Sequence, residues 1–165
     1  MKRAPLIGLD FDNTLISYDH LFFACALECG LIPASLSADK IAVRDHLRES
    51  GREDMWTRLQ GEVYGARIME APVFAGAYEA LSALQRDGFA MCLVSHKTRA
   101  PYLGKDHNLR LAARNWLEEH GFFDEQGLGA LEGQQLGGLT AARRDLHDPT
   151  VHGLTRLPKL RHDLW

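Results

Sequence analysis

Apolar positions along this chain change their rhythm several times, and each change marks an element. Leu6-Ile7-Gly8-Leu9 is an unbroken apolar run that stops at Asp10. A run of this kind predicts a buried strand over residues 5–10, covered on both faces as in a parallel sheet. Asn13-Thr14 then supplies turn chemistry where the chain leaves that strand.

From Asp19 to Ala71 the spacing becomes helical. Leu21, Phe22, Ala24, Cys25 and Leu27 mark a first helix that stops near Gly30 and Pro33. Ile41, Val43 and Leu47 mark a second, with Ser37 as its expected N-cap, and Trp56, Leu59, Val63 and Tyr64 a third that runs to about Ile68. No strand-like run occurs in this stretch. Ala77 to Asp87 reads as a helix with Tyr78, Leu81 and Leu84 turned inward and Gly88 as its stop. Phe89-Ala90-Met91-Cys92-Leu93-Val94 is a second buried strand ending at Ser95, and Asn108 to His120 is a further helix ended by Gly121. A strand, a helical insertion, a helix and a second strand imply a right-handed crossover between parallel strands. That crossover brings Ser95 to the same sheet edge as Asp10.

Composition leaves this picture intact. The 165 residues suit one domain with an insertion, and 45% hydrophobic with 25% charged residues is ordinary for a globular protein. A net charge of −3 gives no reason to expect nucleic acid as a partner. No apolar stretch nears the ~20 residues that span a bilayer, and Asp10 and Asp12 interrupt the stretch after Met1-Lys2-Arg3, so neither a membrane nor a secretory leader is expected and the cytoplasm is the expected compartment. Cys25, Cys29 and Cys92 lack the companions of a metal site and are expected as buried thiols. Trp56, Trp116 and Phe22-Phe23 are expected to pack, and His147, His152 and His162 to be exposed polar residues.

The chemistry concentrates in Asp10-Phe11-Asp12. Two carboxylates at the carboxyl end of a parallel strand lie where open α/β folds place ligands. Aspartate is a hard oxygen donor suited to Mg²⁺ and a nucleophile able to attack a phosphoryl group. A second carboxylate can protonate the leaving oxygen and later deprotonate water. The hydroxyl of Ser95 and the amides near it offer donors to phosphoryl oxygens, and His96 and Lys97 follow in the loop.

With these residues in view, the chain resembles the haloacid dehalogenase-like (HAD) hydrolase superfamily. Asp10-Phe11-Asp12-Asn13-Thr14-Leu15 is similar to its first motif, Asp-x-Asp-x-Thr/Val-Leu, and Leu93-Val94-Ser95 to its second. The resemblance covers about residues 5–125. It implies an α/β fold: a Rossmann-like three-layer parallel-sheet core from residues 1–18 and 72–126, with an all-helical cap inserted at 19–71. It implies Asp10 as nucleophile and Mg²⁺ ligand, and Asp12 as general acid/base with its backbone carbonyl as a second ligand. Ser95, with His96 and Lys97, would bind phosphate, and the substrate would be a small phosphorylated molecule. Asp at position 12 favours phosphoryl transfer over carbon–halogen cleavage.

The family's third-motif Lys and fourth-motif acids have no counterpart in context. Asp145 and Asp148 follow no apolar strand, and Lys159 is isolated. Gly127, Gly129, Gly133, Gly137 and Gly138 crowd one stretch without a Gly-Lys-Ser/Thr phosphate loop. The net charge of −3 divides into −5 for residues 1–140 and +2 for residues 141–165. Residues 127–165 are therefore expected to be an irregular tail, of the kind a truncated or altered reading frame would leave. The alternative to an active phosphatase is a catalytically impaired or incomplete HAD-fold protein that serves as a binding module.

Overall fold

The structure, a computed structural model, describes residues 6–123. The expectations for residues 127–165, and for Asp145, Asp148 and Lys159, lie outside the described residues. The order is β1 (Leu6–Asp10), α1 (Asp19–Glu28), α2 (Lys40–Glu49), α3 (Glu53–Tyr64), a 3₁₀ turn (Ile68–Glu70), α4 (Ala77–Arg86), β2 (Ala90–Val94) and α5 (Leu109–Glu119). The fold is thus mixed α/β, with a two-stranded parallel sheet and five α-helices among the described residues. The strands pair in register from Leu6 against Ala90 to Asp10 against Val94.

The sheet has two unlike faces. Ile7, Leu9, Met91 and Leu93 alternate onto one face, where Leu9 and Met91 are buried and the other two pack against the core. Leu6, Gly8, Asp10, Ala90, Cys92 and Val94 alternate onto the other face, where none is buried and Leu6 is 54% exposed. The expected cover on both faces is therefore not met among the described residues. An unbroken apolar run does not specify how many of its faces are covered, whereas side-chain alternation decides which residues share the covered one.

Local chemistry sets the helix ends. At α2 the N-cap is Asp39 rather than Ser37: its Oδ1 accepts the Ala42 N–H at 2.8 Å. That backbone donor is also the leading reason the Asp39 carboxyl lies below its ordinary value. Asn108 caps α5 in the same way, accepting from the Leu111 N–H at 3.1 Å. Helix α3 ends at Tyr64, short of the expected Ile68, because Gly65 leaves helical geometry before the 3₁₀ turn. Asn13 takes a left-handed φ of 55° at the turn after β1, a conformation Asn tolerates well.

Residues 15–17 and 72–74, on either side of the helical block, are joined to each other. Ser17 N–H donates to the Pro72 carbonyl at 2.9 Å and Phe74 N–H to the Leu15 carbonyl at 2.8 Å, with Ile16 bridging Val73. Helices α1, α2 and α3 pack together, and α5 closes against α3 and the 3₁₀ turn. One core runs through the sheet and the helices, with Phe11, Tyr18, Phe22 and Trp116 completely buried. Each such side chain contributes about 1.5–3 kcal/mol of apolar burial. The Trp116 indole N–H donates to the Ala71 carbonyl at 2.8 Å, so this buried ring also keeps its polar atom satisfied.

Trp56, Trp116 and Phe22 are buried as expected, and Phe23 is partly so. Tyr78 differs: it is 39% exposed, with its hydroxyl on the His120 carbonyl and its ring stacked on Phe122. Of the cysteines only Cys25 is buried. Cys29 is exposed at the end of α1, and Cys92 is intermediate on the uncovered sheet face.

Candidate active site

Strand β1 ends at Asp10, whose exposed carboxylate accepts the following Phe11 N–H at 2.8 Å. The chain then folds tightly. The Phe11 carbonyl faces the N–H groups of Thr14, Leu15 and Ile16, and Asn13 Oδ1 accepts from Tyr18 N–H at 3.3 Å. This turn sends Phe11 and Tyr18 into the core and leaves Asp12 at its margin, with a side chain 33% exposed.

On the neighbouring strand the chain leaves at Ser95. Its Oγ accepts the Lys97 N–H at 3.3 Å, a local contact that bends the loop. The bend turns Lys97 inward and leaves His96 exposed. The Lys97 side chain is only 4% exposed, and its Nζ donates to Asp12 Oδ1 at 2.7 Å and to the Tyr18 hydroxyl at 3.1 Å. Three aromatic rings surround the ammonium, with centroids 4.3 Å (Tyr64), 5.1 Å (Phe11) and 5.3 Å (Tyr18) from Nζ. Aromatic faces attract a cation, which partly offsets the cost of removing it from water. The Lys97 carbonyl also accepts from Arg110 Nε at 3.0 Å, so α5 braces the loop from behind.

The electrostatics follow from this burial. Desolvation pushes the Lys97 ammonium below its ordinary pKa, and the Asp12 carboxylate opposes that shift. Tyr18 lies far above the usual phenol range, first because it is buried and then because its hydroxyl faces the Asp12 charge. Tyr64 is raised for the same two reasons in the same order. Lys40, the first residue of α2, stands 5.4 Å from the Phe22 ring centre and 5.5 Å from that of Tyr64. Burial lowers its pKa and Asp12 again opposes the shift, which puts a second cation within the field of the same carboxylate.

Above the ion pair lies a cavity of about 290 Å³. Its lining includes Asp12 and Lys97, Thr57, Gln60 and Tyr64 from α3, and His96 and Tyr102 from the loop. Two glycines on α3 let the loop pass this close. A Cβ on Gly61 would lie 2.8 Å from the Pro101 side chain, and one on Gly65 would lie 2.7 Å from His107 Cβ.

Of the sequence-expected residues, Asp12, His96 and Lys97 meet at this cavity. Asp10 and Ser95 sit at adjacent strand ends beside it, outside its wall. Tyr18 and Lys40 are contributors that periodicity did not single out, and Tyr64 stood out only as an apolar position of the third helix. The position of Tyr18 between two runs assigned to packing carried no hint of a polar role. Among the described residues no group of three or more His, Cys, Asp or Glu side chains is placed to hold a metal. Magnesium, however, is commonly held by one or two carboxylates together with substrate phosphate and water. Asp10, with one oxygen uncommitted, and Asp12 fit that demand.

No protein-family model, curated protein or solved structure matches the chain.

Proposed function

We propose that this chain is a HAD-like phosphohydrolase acting on a small phosphorylated molecule through an aspartyl-phosphate on Asp10. The observation that carries the reading is the contact between the buried Lys97 ammonium and Asp12, in the wall of a cavity two residues beyond the end of β1. In the proposed scheme a carboxylate oxygen of Asp10 attacks phosphorus and the bond to the leaving alkoxide breaks. Asp12 takes a proton from the arriving phosphate monoester monoanion and passes it to that leaving oxygen, then accepts one from the water that cleaves the aspartyl-phosphate. Lys97 supplies a counter-charge to the carboxylates and the phosphate. When a phosphate monoester arrives, the ammonium gains a second anionic partner and loosens its hold on Asp12. Ser95 and His96 are the remaining phosphate contacts in this reading.

Asp10 and the Asp12 backbone carbonyl would hold Mg²⁺, which would offset the repulsion between carboxylates and phosphate. In the same reading the two described strands belong to a Rossmann-like core, residues 19–71 are its helical cap, and the joined segments at 15–17 and 72–74 are the neck between them. The test is turnover of phenyl phosphate with Mg²⁺ and with a chelator, by the unmodified protein and by Asp10→Asn. Turnover that needs both Mg²⁺ and Asp10 supports the scheme. Equal turnover by both proteins removes Asp10 as nucleophile.

A further inference from the structure

The wall of the cavity constrains what the phosphate is attached to. Among the described residues its fixed charges are Asp12 and Lys97, and these pair with each other at 2.7 Å. A second phosphate or a carboxylate on the substrate would need another cation on the wall, and an ammonium would need another acid. Among the described residues the lining provides no such further fixed charge. What it provides is the hydroxyl of Thr57, the amide of Gln60, the imidazole of His96 and the rings of Tyr64 and Tyr102. These are hydrogen-bonding groups, not fixed charges, between aromatic faces. Tyr102 is 83% exposed, so its ring stands at the mouth.

Size narrows the class further. At about 290 Å³ the cavity lies at the lower end of the range for small-molecule sites, which runs from about 300 to 1,000 Å³. The glycine contacts on α3 keep it small, because Pro101 packs directly on Gly61 in the cavity wall.

We infer that the leaving group is an uncharged, monosaccharide-sized polyol, with its phosphate at the Asp12–Lys97 end and its hydroxyls against Gln60 and Thr57. This rests on the phosphohydrolase reading above. Hydrolysis would consume one water, whose oxygen ends on phosphorus, and release the neutral alcohol and inorganic phosphate.

The experiment measures both binding, by calorimetry, and phosphate release for four esters: a hexose 6-phosphate, a nucleoside 5′-monophosphate, phosphoserine and phenyl phosphate. The hexose phosphate is expected to bind at least tenfold more tightly than the nucleotide or phosphoserine. In Gln60→Ala the affinity for hexose phosphate should fall about fivefold to tenfold more than that for phenyl phosphate, the effect of one neutral hydrogen bond. Gln60→Glu, which keeps the shape, should shift preference toward an amino-sugar phosphate and so guards against a variant that merely folds poorly. Preferred binding of the hexose phosphate without release from any ester would overturn the hydrolase reading and leave the ligand class standing. Release from phenyl phosphate with nucleotide or phosphoserine bound as well as the hexose phosphate would overturn the ligand class alone. Failure of the hexose phosphate to bind also overturns it.

Discussion

Lys97 and Asp12 are unequal partners, and the inequality predicts an asymmetric response to mutation. The Lys97 side chain is 4% exposed and that of Asp12 is 33% exposed. Asp12→Ala would strand an ammonium in a nearly dry site, with the Tyr18 hydroxyl and three rings as its remaining company. Leaving a buried charge without its counter-ion costs about 3 kcal/mol or more. Lys97→Met removes the charge, keeps an unbranched chain among Phe11, Tyr18 and Tyr64, and leaves a carboxylate that water can reach. Its cost is that of a charge-assisted hydrogen bond less the desolvation it relieves, about 1 kcal/mol. The double variant should therefore be more stable than Asp12→Ala alone and lie near Lys97→Met, a coupling of about 3 kcal/mol. Urea unfolding of the four proteins, compared at a common slope, measures this directly. Additive losses, or a larger loss for Lys97→Met than for Asp12→Ala, would refute the buried ion pair.

Three further outcomes follow from other contacts. Gly61→Ala gains about 1 kcal/mol of helix propensity but drives a Cβ to 2.8 Å from the Pro101 side chain and 3.1 Å from the Leu103 carbonyl. Overpacking of that kind costs about 1–3 kcal/mol, so a net loss in the denaturation midpoint is expected, and a gain would show that the loop yields freely. In the native protein Cys29 should react with a pulse of iodoacetamide well before Cys25, which is buried and whose thiol is pushed up to about 11. Peptide mass spectrometry reads the order, and equal labelling would contradict the packing of α1. Tyr18 and Tyr64 are held above the ordinary phenol value of 10.0. Unfolded phenols would lose protons first, so these two residues contribute stability that is intact below about pH 10 and is lost as pH rises beyond it. An absorbance titration at alkaline pH should show both ionising only as the chain unfolds, and four phenols titrating together near pH 10 would argue against their burial.

What the sequence disclosed, and what it hid, divides along physical lines. Strand β1, the helices and the turn at Asn13 were legible because each is set by local spacing or by a turn residue. The placement of Asp12 beside Lys97 was not, because those residues are 85 apart and meet only after Phe11, Tyr18 and Tyr64 converge. Lys97 therefore read as a loop cation when it is a buried one. The N-cap of α2 fell two residues late because Ser37 and Asp39 are both competent caps and the backbone path chooses between them. Gly61 and Gly65 carried no signal beyond weakening a helix, since the loop that crosses them lies some forty positions away in the chain. The open face of the sheet was equally hidden, since Leu6 and Leu9 are both apolar and only their alternation separates them.

The central claim is that Asp10 carries the phosphoryl group. The most direct measurement is to acid-quench the protein during turnover of phenyl phosphate with Mg²⁺ and map phosphate adducts by peptide mass spectrometry. The account predicts an adduct on the peptide bearing Asp10, absent when Asp10→Asn is treated in the same way. Phosphate release with no adduct at Asp10, or with an adduct on another residue, would contradict it.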